Sequence, residues 1–226
     1  MFWYDSTIII LLPAIIITFW AQTKINTTFA KYSRISSRNG YTGAEVARML
    51  LDSEGLFHIP VEMVNGKLTD HYDPRNKVMR LSQEVYGGTS VAAIGVAAHE
   101  TGHAIQHKEN YYPLTLRNSI VPIATIGSNA SWILFVLGIF LRIQPLVNFG
   151  VILFSGVVLF QIITLPVEFN ASSRALKVLN NRGILYDDEL NGAKKVLSAA
   201  AMTYVAAALM AVSQLLRLFI LSRRND

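Results

Sequence analysis

His99-Glu100-Thr101-Gly102-His103 sets two imidazoles and a carboxylate within five consecutive residues. On a helix, residues four apart share a face, so His99 and His103 project toward one point while Glu100 is turned aside. Two neutral nitrogen ligands suit zinc, which can polarise a carbonyl and draw the pKa of a zinc-bound water toward ~7, where Glu100 can take the proton. Five such letters arise by accident in about one chain of this length per hundred, so the surroundings matter. Ala97, Ala98, Ala104 and Ile105 flank the motif without charge, and Gly102 leaves room for close packing against another element.

Three protein ligands are usual in a catalytic zinc site. A third histidine in the metzincin manner is excluded, because Gln106 and Glu109 stand where that motif has Gly and His. Glu168 is the leading candidate, since it closes an apolar segment in Leu165-Pro166-Val167-Glu168 and Pro166 suits the first turn of a new helix. Two membrane crossings separate His103 from Glu168, which returns the chain to the same side. The rival carboxylates Glu62, Asp70, Asp73, Asp187, Asp188 and Glu189 sit mostly in turn-like contexts, where capping is their ordinary work. His107 shares the face of His103 but lies one turn too far along a straight helix, and reads as a surface or supporting histidine. His71, in Asp70-His71-Tyr72-Asp73-Pro74, could line the cleft or be simple turn chemistry.

The elements that must position these groups are legible in the pattern of the chain. Thr42 followed by Glu45 forms a capping box, and Val46, Met49 and Leu50 recur at helical spacing, which predicts a helix over Gly43 to Ser53. Ile59 to Val64 and Lys77 to Ser82 are rich in strand formers, with Asn65-Gly66 turning after the first and Asp70 to Asn76 looping before the second. Gly87-Gly88 then breaks the chain, Thr89 or Ser90 caps, and Val91 to His107 reads as one helix carrying the motif.

The 226 residues are 52% hydrophobic and only 15% charged, a balance that belongs to a membrane. Ile8 to Ala21, with Asp5 before it and no cleavage-site pattern, reads as a retained anchor. Ile120 to Leu141 and Leu146 to Pro166 are each near the ~20 apolar residues that cross a bilayer, and Val196 to Leu221 is a fourth apolar stretch. The expected architecture is a mainly α membrane protein with three to four transmembrane helices and a small α+β zincin-like soluble domain. Its parts are an anchor over 1–21, the soluble domain over 22–118, a helical hairpin over 119–166, a polar segment over 167–195 and a last apolar helix over 196–226. The net charge of +5 comes without basic runs interleaved with aromatics, so nucleic acid is not an expected partner. There is no cysteine, which excludes thiolate metal sites and a cysteine nucleophile.

With these residues in place, the chain resembles the membrane-bound neutral zinc metallopeptidases of the YugP family over nearly its whole length. The likeness rests on Tyr41 to Arg48, Leu68 to Pro74, Ala97 to Gln106 and the Pro166 to Leu176 segment. More distantly, Glu168-x-x-Ala171-Ser172-x-x-Ala175 is similar to the E-x-x-A-D-x-x-A segment of the prenyl-protein and heat-shock membrane zinc endopeptidases, whose Glu is the third zinc ligand. Ser172 departs from that pattern. In those relatives the Asp orients a motif histidine, a task that here would fall to Ser172 or Asn170.

These readings converge on a zinc endopeptidase in which His99, His103 and Glu168 hold the metal and Glu100 is the base, acting on a peptide or membrane-protein substrate. Tyr204 or His71 could supply a donor to the tetrahedral intermediate. Eleven Lys and Arg residues between Gln22 and Asn118 put the active site in the cytoplasm of a bacterial plasma-membrane protein, although Arg223 and Arg224 pull the other way if the last helix spans. The alternative is a catalytically silent zinc-binding membrane scaffold, which would have no use for Glu100.

Overall fold

The computed structural model describes residues 6–223; Asp5 and Arg224, which entered the charge reading above, lie outside the described residues. Seven α-helices and three strands follow a short 3-10 turn at Ser6–Leu11: α1 (Leu12–Tyr32), α2 (Gly43–Ser53), β1 (Val61–Val64), β2 (His71–Asp73), β3 (Val78–Ser82), α3 (Gln83–Tyr86), α4 (Val91–Lys108), α5 (Tyr112–Leu141), α6 (Gln144–Asn181) and α7 (Asp187–Arg223). Four stretches are long and apolar enough to cross a membrane: Ser6–Tyr32, Tyr112–Leu141, Gln144–Asn181 and Asp187–Arg223. The chain is therefore mainly helical with one small sheet.

Two compact units divide the chain, one formed by Thr23–Leu114 with Val167–Ala201, the other by the chain up to Gln22, Thr115–Pro166 and the chain from Met202 onward. In the first, α2 has the expected ends: the Thr42 side chain accepts from Glu45 N, and the Glu45 carboxylate accepts from Thr42 N. Its sheet has the order β1-β3-β2, with β1 parallel and β2 antiparallel to the central β3. The segment expected to loop from Asp70 to Asn76 instead contains β2, whose hairpin turn is closed by Asp73 accepting from Arg75 N and Asn76 N. The turn chemistry was real, but it joins two strands.

Helix α4 runs through the middle of this unit. Ala93, Ala97 and Ala104 pack with Leu51, Met79 and Leu81 on one side. Val91, Ile94 and Ala98 meet Leu179, Ala193 and Val196 on another. Between Val91 and Gln106 all residues are buried except Val96, His99 and His103. Small side chains allow that degree of enclosure, and the two histidines keep a partly open strip along it.

The second unit is apolar and helical, with Phe135, Val147, Phe154, Val158, Ala211 and Leu218 at its core. Close approach is set by glycine: a methyl at Gly150 would stand 2.9 Å from the Ser131 carbonyl oxygen. Pro166, expected to open a new helix, lies inside α6, which continues to Asn181. A proline costs a helix one hydrogen bond and some bending, and in a long packed helix the neighbouring turns carry that loss.

Candidate metal centre

Glu168 sits on α6 two residues after Pro166, and the packing of α4 on this part of α6 decides what it meets. A methyl at Gly102 would stand 2.5 Å from the Ala171 carbonyl oxygen, so only glycine lets the two backbones approach this closely. The approach brings Glu168 Oε2 to 3.3 Å from His99 Nε2 and 3.5 Å from His103 Nε2. Donor atoms of the three residues all lie within 4.8 Å of one another. Ligands ~2.1 Å from zinc at the corners of a tetrahedron stand roughly 3.4 Å apart, so two of the three edges already have the size a zinc ion requires. The donor set of two imidazoles and a carboxylate is equally suitable, and the residues fit the metal.

The rear of each ring is also held. His99 Nδ1 lies 3.1 Å from Ser172 Oγ, and His103 Nδ1 lies 3.0 Å from Gln106 Oε1. Gln106 in turn donates to the Val167 carbonyl at 2.8 Å and to Asn170 Oδ1 at 2.9 Å. Ser172 and Asn170, expected as alternatives for one task, thus lie behind different histidines, the first directly and the second through Gln106. Gln106 itself escaped the sequence reading. The signal was there, since an amide three residues after His103 on an Ala-rich buried helix must have partners.

Glu100 is buried, and burial pushes its carboxyl up to about 7; the His99 ring opposes this rise, Glu168 and Asp70 add to it, and a hydrogen bond from the Tyr72 amide opposes it. That amide donates to Glu100 Oε2 at 3.0 Å. Tyr72 pairs with Met79 across the β2–β3 ladder, and Met79 N turns instead to the Pro60 carbonyl on the β1 side. Tyr72 therefore occupies the non-hydrogen-bonded register, where its N–H points outward from the sheet edge toward Glu100.

The remaining candidates fall elsewhere. His107 Nδ1 lies 2.8 Å from the Tyr72 hydroxyl, which keeps its proton because burial and then Asp73 push its pKa to about 12. His71 is exposed, with Nδ1 2.7 Å from the Thr69 carbonyl. Asp70 binds Ser82 N and Oγ, Glu62 meets Arg80, Asp188 meets Arg38, and Glu189 accepts from Arg38 N. Tyr204 is on the part of α7 that belongs to the apolar unit.

A cluster of this composition could hold a metal ion, and the same chain has four helices long and apolar enough to cross a membrane among its described residues. Residues 7–223 match the family described as "Putative neutral zinc metallopeptidase", and the chain belongs to that family. It is 51% identical over 210 residues to the "Putative membrane protease YugP" of Bacillus subtilis (strain 168), an alignment covering 93% of each chain. No solved structure matches it.

Proposed function

We propose that the chain is a multi-pass membrane zinc endopeptidase of the HExxH type, in which His99, His103 and Glu168 hold the metal and Glu100 is the general base. The observation that carries this reading is the approach of both histidine Nε2 atoms, at 3.3 and 3.5 Å, to a single oxygen of Glu168. Family membership and the description of the relative as a membrane protease support the hydrolytic role. When bound, zinc supplies Lewis acidity to the scissile carbonyl and makes the attacking water acidic near neutral pH. Glu100 would take a proton from the attacking water and return it to the leaving nitrogen, so the peptide bond would end as a carboxylic acid and an amine, which exchange a proton to give carboxylate and ammonium. In the metal-free site burial holds this carboxyl near 7, and a bound zinc ion would lower it toward the carboxylate form that acts as a base.

A peptide or a membrane-protein tail is taken in extended form along an edge of the small sheet, in a zincin-like manner. The eleven basic residues between Gln22 and Asn118 favour a cytoplasmic position for this unit.

The test is zinc content together with cleavage of an unfolded reporter in detergent, with wild type set against Glu100→Gln. Wild type is expected to bind zinc and cleave; Glu100→Gln is expected to bind zinc and lose about 10²- to 10⁴-fold in rate. Zinc in both and cleavage in neither, across reporters of varied sequence, would favour the silent scaffold. No zinc in either would remove the site.

A further inference from the structure

His103 is supported by a chain of hydrogen bonds whose donors and acceptors can be assigned without reference to hydrogen positions. It begins at Arg174, which pairs with Glu109 through Nη1 at 2.6 Å. Arg174 Nε, which can only donate, lies 2.6 Å from Asn170 Oδ1 and so fixes the Asn170 amide with its oxygen toward Arg174. The same oxygen lies 2.9 Å from one atom of the Gln106 amide, and the Val167 carbonyl lies 2.8 Å from that atom too. Two acceptors meet there, so it must be the NH₂ group. The other end of Gln106 is then its oxygen, an acceptor only, and it faces His103 Nδ1 at 3.0 Å. Nδ1 must carry a proton, and in the neutral ring Nε2 is left with the lone pair that points toward Glu168.

His99 is held differently. Its Nδ1 meets the Ser172 hydroxyl, which can donate or accept and therefore imposes neither tautomer. Gln106 is wholly buried.

Resting on the reading of His99, His103 and Glu168 as a zinc site, we propose that Gln106 is a positioning residue for that site: its carbonyl oxygen, turned toward His103 by Val167 and Asn170, locks the ring in the tautomer that presents Nε2 to the metal. Arg174 acts one step further back by holding Asn170.

Zinc affinity, measured by competition with a chelator in detergent, tests this alongside thermal unfolding of the metal-free proteins. Gln106→Leu removes the acceptor and is expected to weaken zinc binding by about 10- to 100-fold. Gln106→Glu keeps an acceptor toward Nδ1 but sets a carboxylate against the Val167 carbonyl, so its affinity stays within a few-fold of wild type while its metal-free form melts lower than that of Gln106→Leu. Asn170→Asp retains both acceptances and is expected to bind zinc like wild type. A purely structural amide predicts the opposite ordering, with affinity following stability across the variants; that result, or unchanged affinity in Gln106→Leu, would overturn the proposal. Failure of wild type to bind zinc would instead overturn the metal site itself.

Discussion

In the unit that carries the metal cluster, polar side chains tie together elements distant in sequence. Arg48 on α2 donates to the carbonyls of Ile59 and Leu56, Asn39 to those of Gly183 and Ile184, and Gln106 on α4 to that of Val167 on α6. In the apolar unit the hydroxyls mostly bond back one turn along their own helix, as Thr18 does to Ala14, Thr125 to Val121, Ser155 to Val151 and Thr164 to Phe160. Bonds between helices there include those of Gln144 to the Ser222 carbonyl and of Arg217 to Thr7. The contrast follows from the surroundings each unit is built for. Where lipid offers no partner, a hydroxyl is cheapest to satisfy on the nearest carbonyl, and packing is left to glycine and apolar shape. Where a site must be held to a few tenths of an ångström, directional bonds between elements do the holding.

Three paired measurements would sharpen or break this comparison, taken from the largest expected effect to the smallest. The acid–base response should come from the site-bearing unit alone, because the apolar unit has no Asp or Glu among its described residues. In the metal-free protein Glu100 keeps its proton up to about pH 7, against an ordinary 4.5, so the folded state binds that proton more tightly than the unfolded chain. Its contribution to stability is complete below about pH 4.5 and is lost as pH rises through about 7, a total of about 3 kcal/mol. Thermal melts of metal-free wild type should therefore lose ground to Glu100→Gln between about pH 4.5 and 7, and parallel curves across that window would contradict the burial of this group.

Gly102→Ala comes next. Its methyl meets the Ala171 backbone at 2.5 Å and must push α4 from α6, costing about 1–3 kcal/mol and most of the zinc affinity. Gly150→Ala, with a comparable 2.9 Å approach in the apolar unit, should cost similar stability and leave zinc affinity unchanged. Equal loss of zinc in both would erase the distinction between the two regions.

Arg48→Met removes a charged donor from two carbonyls and is expected to cost about 1.5–3 kcal/mol by chemical unfolding. Thr125→Val deletes only a bond within its own helix and should fall within about 0.5 kcal/mol of wild type. A large cost at Thr125 would mean that the hydroxyls of the apolar unit are not locally satisfied after all.

The same contrast separates what could be read from the sequence from what could not. The ends of α2 and the start of α4 were legible, because Thr42, Glu45 and Ser90 act on amides within three residues of themselves. The histidine pair was legible for the same reason, as its geometry is that of one helical turn. Strand β2 was not: three residues show no period, and Asp73-Pro74 signals a turn without saying that strands flank it. Pro166 was misleading because the local rule for proline was outweighed by the packing of a 38-residue helix. Gln106 and the division of work between Ser172 and Asn170 depend on α4 and α6 meeting, and such long-range pairings leave no local period. The third donor lay in between, suggested by its place after an apolar segment and by an even number of expected crossings.

The hydrogen bond from Tyr72 to Glu100 has a consequence for how such a site can be probed and how it can drift. The donor is a main-chain amide, so alanine, phenylalanine or any other ordinary side chain at position 72 still provides it. A scan of side chains would pass over this contact in silence, and only proline, tolerated on a sheet edge for want of a ladder bond to break, would delete it. Sequence at this position is free to wander as far as the base is concerned, while the register of the strand is not. The information that aims Glu100 is stored in the path of the backbone, where neither a substitution table nor a comparison of sequences would look for it.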